Sequence, residues 1–496
     1  MKRIALGVSC ALAALTAVAA ENGDVQVEKA KLEEVEVIAQ RAQTATKTDT
    51  RLVEIPQSIS VVTAEQIEEH GARNYQDVFR YSAGVDTERF GDDQRGDFFS
   101  ARGFALKQYL DGLNKTPDFL YGSRMEVFTL ERAEVLRGPS SVLYGAGSSG
   151  GLLNAVSKRP QFEFGGELGM EVGDYDRLQL QADVTGPLSE QLAGRFVGIL
   201  RNDELMIPGE ANDKGVAMPS LTWRPSENTE ITLIGLYQDE DLGTQTYLPM
   251  EKTLHASATD PKIPIDFFVG EPGFNHMKSD QLAGTLLINH RFNDAIAVAS
   301  NTRYIGQSVD YGEVYSYGFP PYADPERTLL VRQFYVLDET YRVLNTDNNV
   351  LFSFDTGPVS HKLLFGVDYT EFSQDRQEGF SCPGFTLPPC WSSSPPPLDV
   401  YDPHYGQSFD FGFTNAFETH STQLGIYLQD QMKWGDRVSF VFGARRDEAS
   451  SEATLSPKDT TDATTFKAGI IAEVVDGFSP YLSYSESFTP VFGGDF

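Results

Sequence analysis

The chain has 496 residues, with 40 Lys and Arg against 71 Asp and Glu, a formal net charge of -31. That balance excludes a nucleic-acid footprint, which needs basic patches, and the length excludes a small disulfide-stapled scaffold and suggests two or three domains. Mean hydropathy is -0.30, yet 33 Phe, 21 Tyr and 44 Gly also suit a transmembrane β-barrel, whose strands are apolar on one face only.

Lys2 and Arg3 precede an apolar or small-residue run from Ile4 to Ala19 that ends Ala17-Val18-Ala19. This is the pattern of a secretory signal over residues 1–20, cut near Ala19 or Ala20. No later run reaches the roughly 18 apolar residues of a transmembrane helix. Cys10 falls inside the signal, so the exported chain keeps Cys382 and Cys390, an even count that suggests one disulfide, with free thiols as the alternative.

Residues 21–50 are polar and charged, with Val35, Val37 and Ile38 as a short strand-forming peptide in an otherwise flexible tail. Residues 51–160 read as a small α+β domain. Pro56 to Val62 is strand-like, and Thr63 with Gln66 has capping-box spacing before a helix ending at His70-Gly71. Asn74 caps a second helix, to Ala83, stopped by Gly84.

After Pro160 the period becomes two. Apolar Leu178, Leu180, Ala182 and Val184 alternate with Gln179, Gln181 and Asp183, and the pattern recurs around Leu363 to Tyr369, Leu424 to Leu428 and Val438 to Ala444. Tight turns such as Gly173-Asp174 and Trp434-Gly435-Asp436 contrast with long Pro-rich connections from Pro249 to Phe274 and Gln377 to Phe417. Short turns at one end and long loops at the other characterise an outer-membrane barrel; a soluble β-sandwich or propeller is the alternative. Roughly fourteen strands are expected.

Catalytic motifs are weak. Gly145-Ala146-Gly147-Ser148-Ser149-Gly150 has dinucleotide-binding spacing, and Ser149 sits in a nucleophile-elbow pattern, but Gly138-Pro139 before it and Pro160 after it spoil the strand-turn-helix context that either needs. The seven His show no paired metal-ligand spacing. We expect no enzyme, no cofactor and no protein-bound metal, with an exported serine hydrolase using Ser149 as the alternative of another class.

Six ordered motifs carry a family resemblance: Pro56 to Thr63, Arg102-Gly103-Phe104, Tyr109-Leu110-Asp111-Gly112, Leu130 to Pro139, Ser141 to Gly145, and Gly150 to Asn154 running on to Lys158-Arg159-Pro160. Together with Tyr481 to Phe488 they resemble TonB-dependent outer-membrane siderophore receptors. The resemblance implies an α+β plug inside an antiparallel transmembrane barrel of 22 strands, here over 161–496. It also implies active import of a ferric siderophore, iron being bound only through that ligand. Glu34, Val35, Glu36, Val37, Ile38 and Ala39 resemble the TonB box, which adds as a strand to TonB, itself energised by ExbB/ExbD. The implied setting is the outer membrane of a Gram-negative bacterium, in contact with lipid and lipopolysaccharide, with plug and N-terminus toward the periplasm.

Arg102 and Arg137 match the plug arginines that latch to barrel glutamates in this family, and Glu486 is the implied partner. Cys382 to Cys390, Trp391 and Asp402 to Gly406 resemble the disulfide loop and following strand of ferrichrome-type hydroxamate receptors. Arg89, Gln108 and Tyr121 lie nearest that group's chelate-lining positions, although the stretch from Arg102 to Tyr109 is shorter than in ferrichrome receptors. Cobalamin or a glycan is the alternative ligand. The stretch from Pro160 to Phe496 is short for 22 strands with their loops, so only part of such a barrel is expected.

Overall fold

The computed structural model describes residues 41–492 apart from 92, 117–120, 245–246, 257–260, 320–323, 325, 382–393 and 476. The signal segment, the TonB-box peptide (Glu34 to Ala39), Cys382, Cys390 and Trp391 lie outside the described residues.

The plug is built on a mixed five-stranded sheet. Its strands are β1 (Ile59–Thr63), β2 (Lys107–Leu110), β3 (Leu113–Asn114), β4 (Leu130–Arg137) and β5 (Gly151–Ser157), in spatial order β1-β4-β5-β2-β3. The β5–β2 pair is parallel and the rest antiparallel. Every residue of β5 is buried, as a central strand covered on both faces requires.

Helix α1 (Ala64–Glu69) starts at the expected capping box: the Gln66 amide donates to the Thr63 hydroxyl and the Thr63 amide to the Gln66 side chain. Helix α2 (Tyr75–Val78) starts at Asn74, whose side chain accepts from the Asp77 amide, but it runs one turn rather than to Ala83. Phe79 has already left helical geometry, at φ -103 and ψ 7. There its ring joins Tyr75 and Phe99 in edge-to-face contacts of 5.3 to 5.9 Å at the centre of the plug core. Burying Phe79 in that triad outweighs continuing a helix of one turn.

Arg41–Ala42 pairs with Thr50–Arg51, and this hairpin packs on the plug, with the Gln43 and Thr44 amides donating to the Glu134 carboxylate.

The second region is an antiparallel meander of thirteen strands: β6 (Gly165–Val172), β7 (Leu178–Pro187), β8 (Leu192–Asn202), β9 (Asn212–Ser226), β10 (Thr229–Leu242), β11 (His276–Asn293), β12 (Ile296–Gly318), β13 (Leu329–Thr356), β14 (Val359–Phe380), β15 (Asn415–Trp434), β16 (Val438–Ala453), β17 (Ser456–Ala472) and β18 (Tyr481–Ser485). Leu398–Asp399 pairs with the start of β13 as the fourteenth strand of the sheet. Among the described residues β6 and β18 do not pair with each other.

The period-two residues partition inside out. On β7, Leu178, Leu180 and Val184 are exposed while Gln179 and Asp183 are buried; on β15, Leu424, Ile426 and Leu428 face outward while Gln429 is buried. An apolar outer face around a polar inner face suits a wall with lipid outside and a plug within. Short turns follow β7, β9, β11, β13 and β15 at one rim, while the long connections from β10 to β11, β12 to β13 and β14 to β15 leave from the other. The Gly173-Asp174 turn lies on the long-loop rim, because β6 and β7 meet there. Asp402 to Gly406, expected as a strand, has no strand pairing: the Tyr405 hydroxyl instead donates to the Phe268 carbonyl of the neighbouring loop, at 2.6 Å.

Candidate functional site

Tyr121 comes from the plug at a positive φ of 59°. Its amide donates to the Arg95 carbonyl at 3.0 Å, and its carbonyl accepts from Gln307 of the wall at 3.3 Å. So held, its ring meets Tyr311 of β12 at 5.0 Å and Tyr335 of β13 at 6.3 Å, and these two rings are 5.8 Å apart. All three stand toward the long-loop rim. Burial pushes the Tyr121 phenol up to about 12, partly offset by the Arg95 charge, so it stays a neutral donor.

Charged groups flank the rings. Arg95 donates to Asp93 at 2.8 Å and reaches Tyr311 and Glu313, each at 3.4 Å, while Tyr311 donates to Glu313 at 2.5 Å. Arg376 of β14 donates to Glu378 at 2.6 Å and to the Tyr335 hydroxyl at 2.5 Å, and stands 3.8 Å from Glu339. Such a wall offers aromatic faces, hydroxyls and charge to a bulky chelate.

Of the residues marked from sequence, Tyr121 belongs to this cluster. Arg89 is exposed, with its guanidinium 5.5 Å from the Phe90 ring centre. Gln108 is 1 % exposed within β2 and donates to the Asp97 carbonyl at 3.3 Å. The described ring partners of Tyr121 are Tyr311 and Tyr335. The barrel partners were not foreseen. A usable signal existed in Tyr311-Gly312-Glu313 and Arg376-Gln377-Glu378, where a spacing of two puts both side chains on the inner face of a strand near its loop end.

The latch residues do not meet. Arg137 donates to the Ala83 carbonyl at 2.8 Å and the Ser60 hydroxyl at 2.7 Å, both in the plug. Burial, and then the Arg102 charge, hold its guanidinium below the ordinary value. Arg102 is exposed and has no ion pair among the described residues. Glu486 accepts from the Phe466 amide at 2.8 Å and the Tyr484 hydroxyl at 2.5 Å. Arg137 is therefore held by acceptors within the plug and Glu486 by donors of the wall, rather than by each other.

Other pairs seat the plug. Asp111 bonds Arg303 at 3.0 Å, Glu126 bonds Arg201 at 3.1 Å, Lys47 bonds Asp347 at 2.9 Å and Lys158 bonds Asp183 at 2.9 Å, every side chain at most 12 % exposed. Near β18, the Gly147 amide donates to the Phe488 carbonyl and the Phe488 amide to the Ser141 hydroxyl.

The glycine-rich motif serves the same contact. Gly145 has φ 70°, and a Cβ there would collide with Gln423 and lie 2.7 Å from Arg445 of the wall. The Ser149 hydroxyl is 2.9 Å from the Ser487 hydroxyl, with no His or carboxylate among its described partners, so it lacks the base a nucleophile needs.

Residues 51–152 match the TonB-dependent receptor plug domain, and residues 222–496 match the TonB dependent receptor-like β-barrel. Over 489 residues the chain is 31% identical to the ferrichrome outer membrane transporter/phage receptor of Escherichia coli K12, covering 92% of this chain and 64% of that protein. It is 33% identical over 462 residues to the ferrioxamine B receptor of Salmonella typhimurium SL1344, covering 90% of this chain and 63% of that one. The chain thus spans somewhat less than two thirds of the length of either relative. In fold it resembles the ferric-catecholate import receptor Fiu of E. coli K12 in its open form, with a TM-score of 0.79 at 19% identity over 91% of this chain and 73% of that one. The ferripyoverdine receptor of Pseudomonas aeruginosa gives 0.77 at 21% identity over 91% and 59%. Plug, inverted barrel wall and both domain matches agree: this chain belongs to the TonB-dependent receptor family, whose members are receptors and transporters rather than enzymes.

Proposed function

We propose that this receptor imports a ferric siderophore of the hydroxamate class across the outer membrane. The observation that carries the reading is the cluster in which plug Tyr121 meets wall Tyr311 and Tyr335 at the long-loop rim. Ligand held there touches plug and wall at once, so occupancy can be sensed by the plug. The relatives named for ferrichrome and ferrioxamine B support the hydroxamate class. Iron enters as part of the ligand, and the protein supplies no cofactor of its own.

Work comes from TonB with ExbB/ExbD, acting on the peptide Glu34 to Ala39. Supporting this, the first described residues lie at the short-turn rim, where Thr50 contacts Gln431 at 3.2 Å and Glu54 pairs with Lys433 at 2.8 Å. In this reading plug and N-terminus face the periplasm, and the outward Leu, Phe and Ile band faces lipid and lipopolysaccharide.

Quenching of Tyr and Trp fluorescence in outer-membrane vesicles, titrated with a ferric trihydroxamate, a ferric catecholate and cobalamin, tests the reading. Saturable quenching by the trihydroxamate, weakened about tenfold or more by Tyr121→Ala, is expected. A response to cobalamin alone overturns it.

A further inference from the structure

We propose that a cavity between plug and wall, apart from the tyrosine rings, is a binding site for a small neutral apolar molecule, one aromatic ring in size, whose presence holds the plug against the wall. The cavity, its mouth included, has a volume of about 640 Å³. Across it Leu110, Met125 and Leu130 of the plug face Met218, Ile234 and Ile305 of the wall. Ile305 lies on the same face of β12 as Tyr311, nearer the short-turn rim.

The two sides pack separately. The three plug residues join the plug core, whereas Met218 and Ile234 belong to one wall cluster and Ile305 to another. Two apolar surfaces therefore look at each other across the cavity instead of interlocking. Protein interiors leave few voids larger than a water molecule, and atoms that line one lack dispersion partners on that side, which an occupant supplies. Met125 and Met218, unbranched and adaptable, stand on opposite sides and can close on a guest.

The polar groups at the margin decide its chemistry. Arg303 donates to Asp111 at 3.0 Å and to Thr285 at 2.9 Å, and Glu126 accepts from Arg201 at 3.1 Å. Gln238 donates to the Arg124 carbonyl and Gln281 to Gln307, each at 2.9 Å. These charges already face opposite charges and these amides already donate, so a charged guest finds nothing to offset the loss of its hydration. Water, which needs two to four polar partners, is poorly served there. An apolar ring loses no hydrogen bond on entry. Because it touches plug and wall together, it binds the seated plug more tightly than a displaced one and stabilises the seat by mass action. Such binding requires no siderophore.

The test places the receptor in lipid nanodiscs, with isotope-labelled methionine methyl groups, and titrates it with toluene, benzoate and benzylamine, which share one ring and differ in charge. Toluene is expected to shift the Met125 and Met218 signals saturably, in the millimolar range or tighter. The exposed Met206 and Met250, which do not line the cavity, should stay unchanged, and benzoate and benzylamine should move none of the four. Ala283→Leu fills the space from β11 and should abolish the toluene shift; Ile234→Phe, filling it from β10, is the second variant. Toluene should also slow proteolysis of the plug in the parent receptor but not in the filled variants. Shifts that fail to saturate, that appear equally at Met250, or that persist in both variants overturn the site. Saturable binding of benzoate or benzylamine overturns the neutral class, and unchanged proteolysis with toluene bound overturns its hold on the plug.

Discussion

Asp111 of the plug and Arg303 of the wall form an ion pair of 3.0 Å with side chains only 1% and 2% exposed. The Asp111 carboxylate also accepts from the Ser157 amide at 2.9 Å and hydroxyl at 2.8 Å, so one side chain joins the central plug strand to the barrel. Removing one member of such a pair strands the other charge without water. Asp111→Asn is expected to loosen plug seating by about 3 kcal/mol, seen as faster proteolysis of the plug in detergent-solubilised receptor. Unchanged cleavage would show that the pair contributes nothing to seating.

Glu126 makes plug seating sensitive to acid. Burial, the largest influence, raises its carboxyl, but Arg201 and Lys214 together hold it below the usual carboxylate range. A depressed folded-state value means that its contribution is complete above the unfolded value of about 4.3 and is lost as pH falls through the folded one. Glu126→Gln should therefore weaken seating near neutral pH by about 3 kcal/mol. The gap from wild type should close on acidification, as read by hydrogen exchange of plug amides; a gap that is constant with pH contradicts this.

Two glycines with positive φ should respond differently to alanine. At Gly112, with φ 79°, nothing lies within 4 Å of an added Cβ, so Gly112→Ala meets only backbone strain of about 1 kcal/mol. At Gly145, a Cβ also collides with Gln423 and crowds Arg445 and Asp447. Gly145→Ala should lower the thermal transition of the plug clearly more than Gly112→Ala does, and equal shifts would mean that the wall yields at no cost.

Much of the fold was legible because its signals are local. The Thr63–Gln66 box spans three positions, the Asn74 cap three, and the alternation from Leu178 to Val184 needs only the pleat of one strand. These features, with the ordered plug motifs, determined a plug followed by a wall that is apolar outside. Among the described residues, the tyrosine cluster was legible in the sequence only at Tyr121. Its wall partners depend on register: Tyr311 stands opposite Leu337, which brings Tyr335 diagonally beside it, and the stagger of long strands decides which plug residue that level meets. The same holds for Asp111 and Arg303, 192 positions apart, and for Arg137, which the sequence assigned to Glu486. The tertiary structure gave Arg137 to Ser60 and Ala83 instead, because a buried guanidinium bonds the acceptors that packing sets beside it, and sequence alone does not say which those are.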